Sequence, residues 1–236
     1  MSDSGVPTAD FEAALARIEA AVDADATDLR EFWRLVRRIK ADASLTERYA
    51  DTVGRIDRKA FERRVRPRLP VWLGNGLLAG GSLVGIAAIV YATQCDNRTV
   101  SGVLLVAAGA VLSVTLHDLA HWAWGRAVGM RFLCYFLDGP FRVQPGLKTD
   151  YATYLRTPPR SRAAMHASGA IASKLAPVVP LAVSPLAHTP LWAVLALAGL
   201  TLLQVVTDLT FSLKRSDWKK VRRELAVASE EEAAAG

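Results

Sequence analysis

Polar and apolar positions are segregated along this chain, and the segregation divides it. Over residues 8–68 apolar side chains recur at helical spacing. Phe11, Leu15, Ile18 and Val22 share one face of a first helix, and Leu29, Phe32, Leu35, Val36 and Ile39 share one face of a second. Asp10 and Thr27 are the candidate N-caps, and a third helix is expected from about Ser44 to Val65. Such amphipathic helices pair with one another, so residues 1–69 are expected to form a soluble helical region that docks on the rest of the chain or on a cytosolic partner.

The pattern then changes to long apolar runs. Val71 to Ala92 and Val100 to Leu116 carry no charge. Ala163 to Ala187 is apolar except for His166 and Lys174, and Pro190 to Thr207 is uncharged up to Asp208. Each run approaches the roughly 20 residues that cross a bilayer. The expected fold class is therefore an all-α polytopic membrane protein, with four transmembrane helices in residues 70–213 and a tail over 214–236 that is basic, then acidic.

Between the second and third runs, "MRFLCYFLDGPFRVQP" has aromatic and β-branched residues around Asp138-Gly139. It predicts a short β-hairpin turning there, with an edge that an extended peptide could join.

Charge sets the orientation. The 236 residues have a formal net charge of +6, concentrated before the first run, between the second and third, and after the fourth. The positive-inside rule puts both termini and the middle loop in the cytoplasm, facing the lipid bilayer's anionic leaflet. Cys95 then lies outside and Cys134 inside, so no disulfide joins them. The polar, acidic N-terminus does not read as a secretory signal. No basic stripe is interleaved with aromatics, so a nucleic-acid partner is not expected.

The candidate chemistry sits where the second run ends, in "HDLAHWAWGRAVGMRF". His117 and His121, four apart, lie on one helix face and can reach one metal. Zinc takes imidazole nitrogens and needs a further protein ligand. Asp118 beside them could take a proton from water and pass it to a leaving amine. Depth suggests the third ligand: under that topology the second and fourth runs both pass from outside to cytoplasm, His117 lies 17 residues beyond Val100 and Asp208 lies 18 beyond Pro190, so both fall in one slab near the cytoplasmic side. His166 is the alternative. Lys174, halfway along the third run, could snorkel, pair with a carboxylate or line a wet cavity.

These residues resemble the site-2 protease family of intramembrane zinc metalloproteases. The family's HExxH is matched by His117-Asp118-Leu119-Ala120-His121, with Asp in place of Glu. "TPPRSRAAMHASGAIASKLAP" is similar to the family's Pro, Arg and AGPxxN segment, with Ala170 where Pro stands and Ser173 where Asn stands. The Asn and Pro before the family's last Asp-Gly are missing from "QVVTDLT". The resemblance covers about residues 70–215. It implies zinc bound by His117, His121 and Asp208, Asp118 as general base, and a membrane protein or membrane-associated peptide as substrate. The competing expectation is a non-catalytic membrane scaffold with a structural metal. HDxxH also resembles the first histidine box of membrane desaturases, but four histidines are too few for that fold, and His188 is expected on the opposite side of the membrane.

Overall fold

A computed structural model describes residues 8–25, 28–138, 144–210 and 216–235, with the side chains of 8–9, 138, 144, 207–210 and 234–235 outside that description. It is mostly helical. Helices α1 (Thr8–Asp23), α2 (Arg30–Lys40) and α3 (Ala43–Arg64) match the three expected amphipathic segments. Their apolar faces close on a core in which Phe32, Ile39, Val53 and Ile56 are fully buried. The caps differ from expectation. Asp10 sits in the first turn of α1, and Thr27 lies outside the described residues. Asp42 caps α3 by accepting from the backbone N–H groups of Ser44 and Leu45, which meets two of the donors a helix start leaves free.

The bundle docks within the chain. Leu155, from α6 (Tyr151–Arg156), completes its core. Gly54 permits the contact, since a Cβ there would lie 2.7 Å from the Cβ of Ala152. Arg156 donates two hydrogen bonds to Asp51 at 2.8 and 2.7 Å, and Lys148 donates to Asp57 at 2.6 Å.

Among the described residues, two helices are long and apolar enough to cross a membrane: α4 (Val71–Ala92, 22 residues) and α5 (Arg98–Ala127, 30 residues). Only 22% and 39% of their most apolar windows are buried. Leu77, Leu83, Val84 and Val114 point outward, unlike the side chains of a soluble core helix. The third apolar run is not one helix. It forms α7 (Pro159–Leu175) and the six-residue α8 (Val178–Val183), interrupted at Pro177, where a proline offers no N–H to continue the ladder. The fourth run forms α9 (Leu191–Thr210), whose described apolar part, Leu191–Val206, is shorter than the first two.

Small residues let these helices approach: a Cβ on Gly109 would meet Leu197, and one on Gly85 would meet Leu112. Polar side chains join them where packing is close. Ser82 Oγ donates to Thr115 Oγ1 at 2.9 Å, and Gln204 Nε2 donates to Ser113 Oγ at 3.1 Å. At the far end, Arg98 Nε donates to the carbonyl of His188 at 2.9 Å. His188 thus lies beside the start of α5, roughly 28 Å along that helix from His117.

Strands β1 (Arg68–Leu69), β2 (Phe132–Asp138) and β3 (Gln144–Thr149) form an antiparallel sheet in that order. Asp138 pairs with Gln144, and the turn expected at Asp138-Gly139 falls on residues 139–143, outside the described residues. Tyr135 donates to Asn75 Oδ1 at 2.7 Å and ties the sheet to α4. Cys95 and Cys134 are both free, and Cys134 is buried in β2. The segment expected as a tail folds as α10 (Asp217–Ala235) and packs along α7.

Candidate metal centre

His117 and His121 lie one turn apart near the end of α5, and helical geometry aims both rings at the same point. Asp217, the first residue of α10, meets them there. His121 Nε2 is 3.2 Å from His117 Nε2, and Asp217 Oδ2 is 3.3 Å from His117 Nε2 and 3.4 Å from His121 Nε2. This is the group of His, Asp, Glu or Cys among the described residues that could hold a metal ion.

The surroundings fix the ligand atoms. His121 Nδ1 lies 2.7 Å from the carbonyl oxygen of Met165. A carbonyl only accepts, so Nδ1 carries the proton and Nε2 presents its lone pair to the centre. Gly169 on α7 makes room for the ring, because a Cβ there would fall 2.3 Å from His121 Nε2. Lys220, one turn along α10, donates to the other oxygen of Asp217, Oδ1, at 2.8 Å, leaving Oδ2 for the histidines. Burial works against the Asp217 charge, but its close contacts with the rings of His117 and His121, with Lys220 beside it, hold its carboxyl well below the usual carboxylate range.

Asp118 is 5% exposed and lines the same cavity, of about 270 Å³. Its Oδ2 has no hydrogen-bond partner among the described residues. A buried carboxylate oxygen without a donor costs free energy unless something else occupies the space it faces. Phe132 and Phe136 from β2 and Gly146 and Leu147 from β3 form the opposite wall.

His166 stands on the other side of Asp217, its Nδ1 3.9 Å from Asp217 Oδ1. Its Nε2 lies 3.0 Å from Tyr154 Oη, and Tyr154 donates its only hydroxyl proton to Glu224 Oε1 at 2.8 Å. His166 Nε2–H must therefore donate to Tyr154. Glu224 also accepts from Lys40 and, at 2.7 Å, from Arg162 Nε. Burial raises the Glu224 carboxyl, but Lys40 and Arg162 outweigh it and keep the group below its ordinary value. This buried network joins α2, α6, α7 and α10 immediately behind the site.

The arrangement thus unites His117, His121 and Asp118 as the sequence suggests, and places His166 beside them rather than among the three converging ligand atoms. Asp208 belongs to the last turn of α9, with its side chain outside the described residues. Lys174 donates to the carbonyl of Ala170 at 2.9 Å on its own helix. Asp217 was not anticipated from the sequence. It stands in the basic string "KRSDWKKVRRE", which reads as a headgroup-facing tail. The one available signal was an acid at the start of an amphipathic helix.

Scans against family models, curated proteins and solved structures found no match to this chain.

Proposed function

We propose that this protein is a membrane-embedded zinc metallopeptidase that cleaves a peptide bond within or next to the bilayer, with both termini and the metal centre on the cytoplasmic side. The observation that carries the reading is the triangle of His117 Nε2, His121 Nε2 and Asp217 Oδ2, with edges of 3.2, 3.3 and 3.4 Å. Ligands at about 2.0–2.1 Å from a tetrahedral zinc stand roughly 3.3 Å apart. Two imidazoles and one carboxylate would supply three protein ligands, the number that catalytic zinc sites use. The ligand set is His117, His121 and Asp217.

Zinc held there supplies Lewis acidity and makes water ionise near neutral pH. The remaining work falls to the chain. The unpartnered Asp118 Oδ2 takes the proton from water and returns it to the leaving amine. Met165, Gly169 and Lys220 keep the ligand atoms oriented. The wall formed by β3 positions an extended substrate segment, since a free strand edge offers backbone hydrogen bonds. Membrane residence is supported by the outward apolar faces of α4, α5 and α9. In this reading the shorter α9 and the broken α7–α8 pair complete a four-element membrane unit.

The test is cleavage of a membrane-anchored peptide by zinc-loaded protein in detergent or liposomes, beside Asp118→Asn. Hydrolysis by wild type and its loss in the zinc-loaded variant support the reading. Cleavage by neither would leave a structural metal in a scaffold.

A further inference from the structure

A second cavity, of about 560 Å³, opens between α2, α6 and α10 on the bundle side of the metal centre. We propose that it is an acid-binding subsite, which receives a carboxylate side chain of the peptide whose adjoining segment lies over the metal centre. The inference rests on the peptidase reading for the identity of its ligand.

Three observations lead there. The first is continuity. Thr149, His166 and Lys220 border this cavity, and His166 and Lys220 also border the metal cavity, as does Thr149. Strand β3 runs along both, with Gly146 and Leu147 at the metal and Lys148 at the second cavity. In the sheet order β1-β2-β3, the outer edge of β3 has no strand partner among the described residues. An extended chain on that edge advances about 3.3 Å per residue. It therefore passes from one cavity to the other within a few residues.

The second is charge. Five cationic side chains line the second cavity against two acids, Glu224 and Glu230. Lys40, Lys148 and Lys220 are committed to Glu224, Asp57 and Asp217. Arg37 and Arg223 have no carboxylate partner among the described residues. Glu224 is itself shared by two cations, Lys40 and Arg162, so the buried wall carries excess positive charge.

The third is chemistry. Guanidinium groups bind carboxylates through paired N–H donors, which fixes both position and orientation. Trp33 and Tyr151 supply aromatic surface for the aliphatic part of such a side chain. An acidic peptide continuous with the scissile segment accounts for the shared walls, which a separately bound small anion would not.

The test measures binding apart from hydrolysis. Zinc-loaded Asp118→Asn protein in detergent is titrated with fluorescein-labelled nonapeptides, alanine and leucine at the centre, with a Glu pair at one end or the other. Each is compared with its Gln counterpart by anisotropy. One Glu peptide is expected to bind about tenfold tighter than its Gln counterpart, the size of one charge-assisted contact. Arg37→Gln with Arg223→Gln should erase that difference while zinc content and helicity stay unchanged. Equal binding of Glu and Gln peptides, no binding of either, or a Glu preference that survives the double substitution overturns the subsite. A Glu preference in a protein whose wild type cleaves no peptide leaves the subsite standing and removes the peptidase reading instead.

Discussion

His121 donates its Nδ1 proton to the carbonyl of Met165 at 2.7 Å, and this one bond decides which nitrogen of the ring faces Asp217. The carbonyl belongs to α7, so the metal centre depends on how closely α7 packs against α5. Gly169 sets that distance. Gly169→Ala should place a methyl in the space of the His121 ring and lower bound zinc sharply, with overall helicity kept. Elemental analysis beside far-ultraviolet circular dichroism checks this; full zinc occupancy in the variant would mean that α7 does not constrain the ring.

Asp118→Asn should keep zinc and lose turnover. General-base contributions run from about 10²- to 10⁴-fold, so hydrolysis should fall by at least about 100-fold. Equal zinc content in the two proteins is part of the expectation, because Asp118 Oδ2 belongs to none of the three converging ligand atoms. Single-turnover cleavage rates give the answer.

Glu224 is 3% exposed and neutralises two cations. Glu224→Gln leaves Lys40 and Arg162 buried without a counter-charge, which costs on the order of 3–5 kcal/mol. The variant should melt at lower temperature and expose the α1–α3 bundle to protease before α4 and α5. A melting temperature equal to wild type would show that water reaches these cations.

Glu19 accepts from Arg55 and Lys59, and these hydrogen bonds lower its pKa from the model-peptide 4.5 to about 2. The folded value is depressed, so the stabilisation is fully present above about pH 4.5 and is lost as pH falls through about 2. Arg55 and Lys59 are 53% and 37% exposed, and solvent screening limits the pair energies to about 1 kcal/mol or less. The difference in melting temperature between wild type and Glu19→Gln should be largest near neutral pH and shrink as the pH approaches 2.

The amphipathic bundle was legible because its apolar positions recur at helical spacing, and the His117–His121 pair because four residues make one turn. What the sequence hid depends on contacts between distant segments. Asp217 reaches the histidines only because α10 turns back along α7, and a string rich in Lys and Arg gives no sign of that return. The break at Pro177 was visible as a residue but was hidden by the hydrophobicity around it, which reads as one continuous span. The placement of Asp208 by depth rests on the orientation that loop charges give the second and fourth runs, and its side chain lies outside the described residues. Glu224 was equally hidden, since its partners Lys40, Tyr154 and Arg162 come from three other elements.

The most direct measurement is zinc content of detergent-purified wild type beside Asp217→Ala, Asp208→Ala and the His117→Ala, His121→Ala double variant. About one zinc per chain is expected in wild type and in Asp208→Ala, as a single tetrahedral site requires, with loss in the other two. Zinc retained in Asp217→Ala but lost in Asp208→Ala would contradict the ligand set, and no zinc in wild type would contradict the metal centre itself.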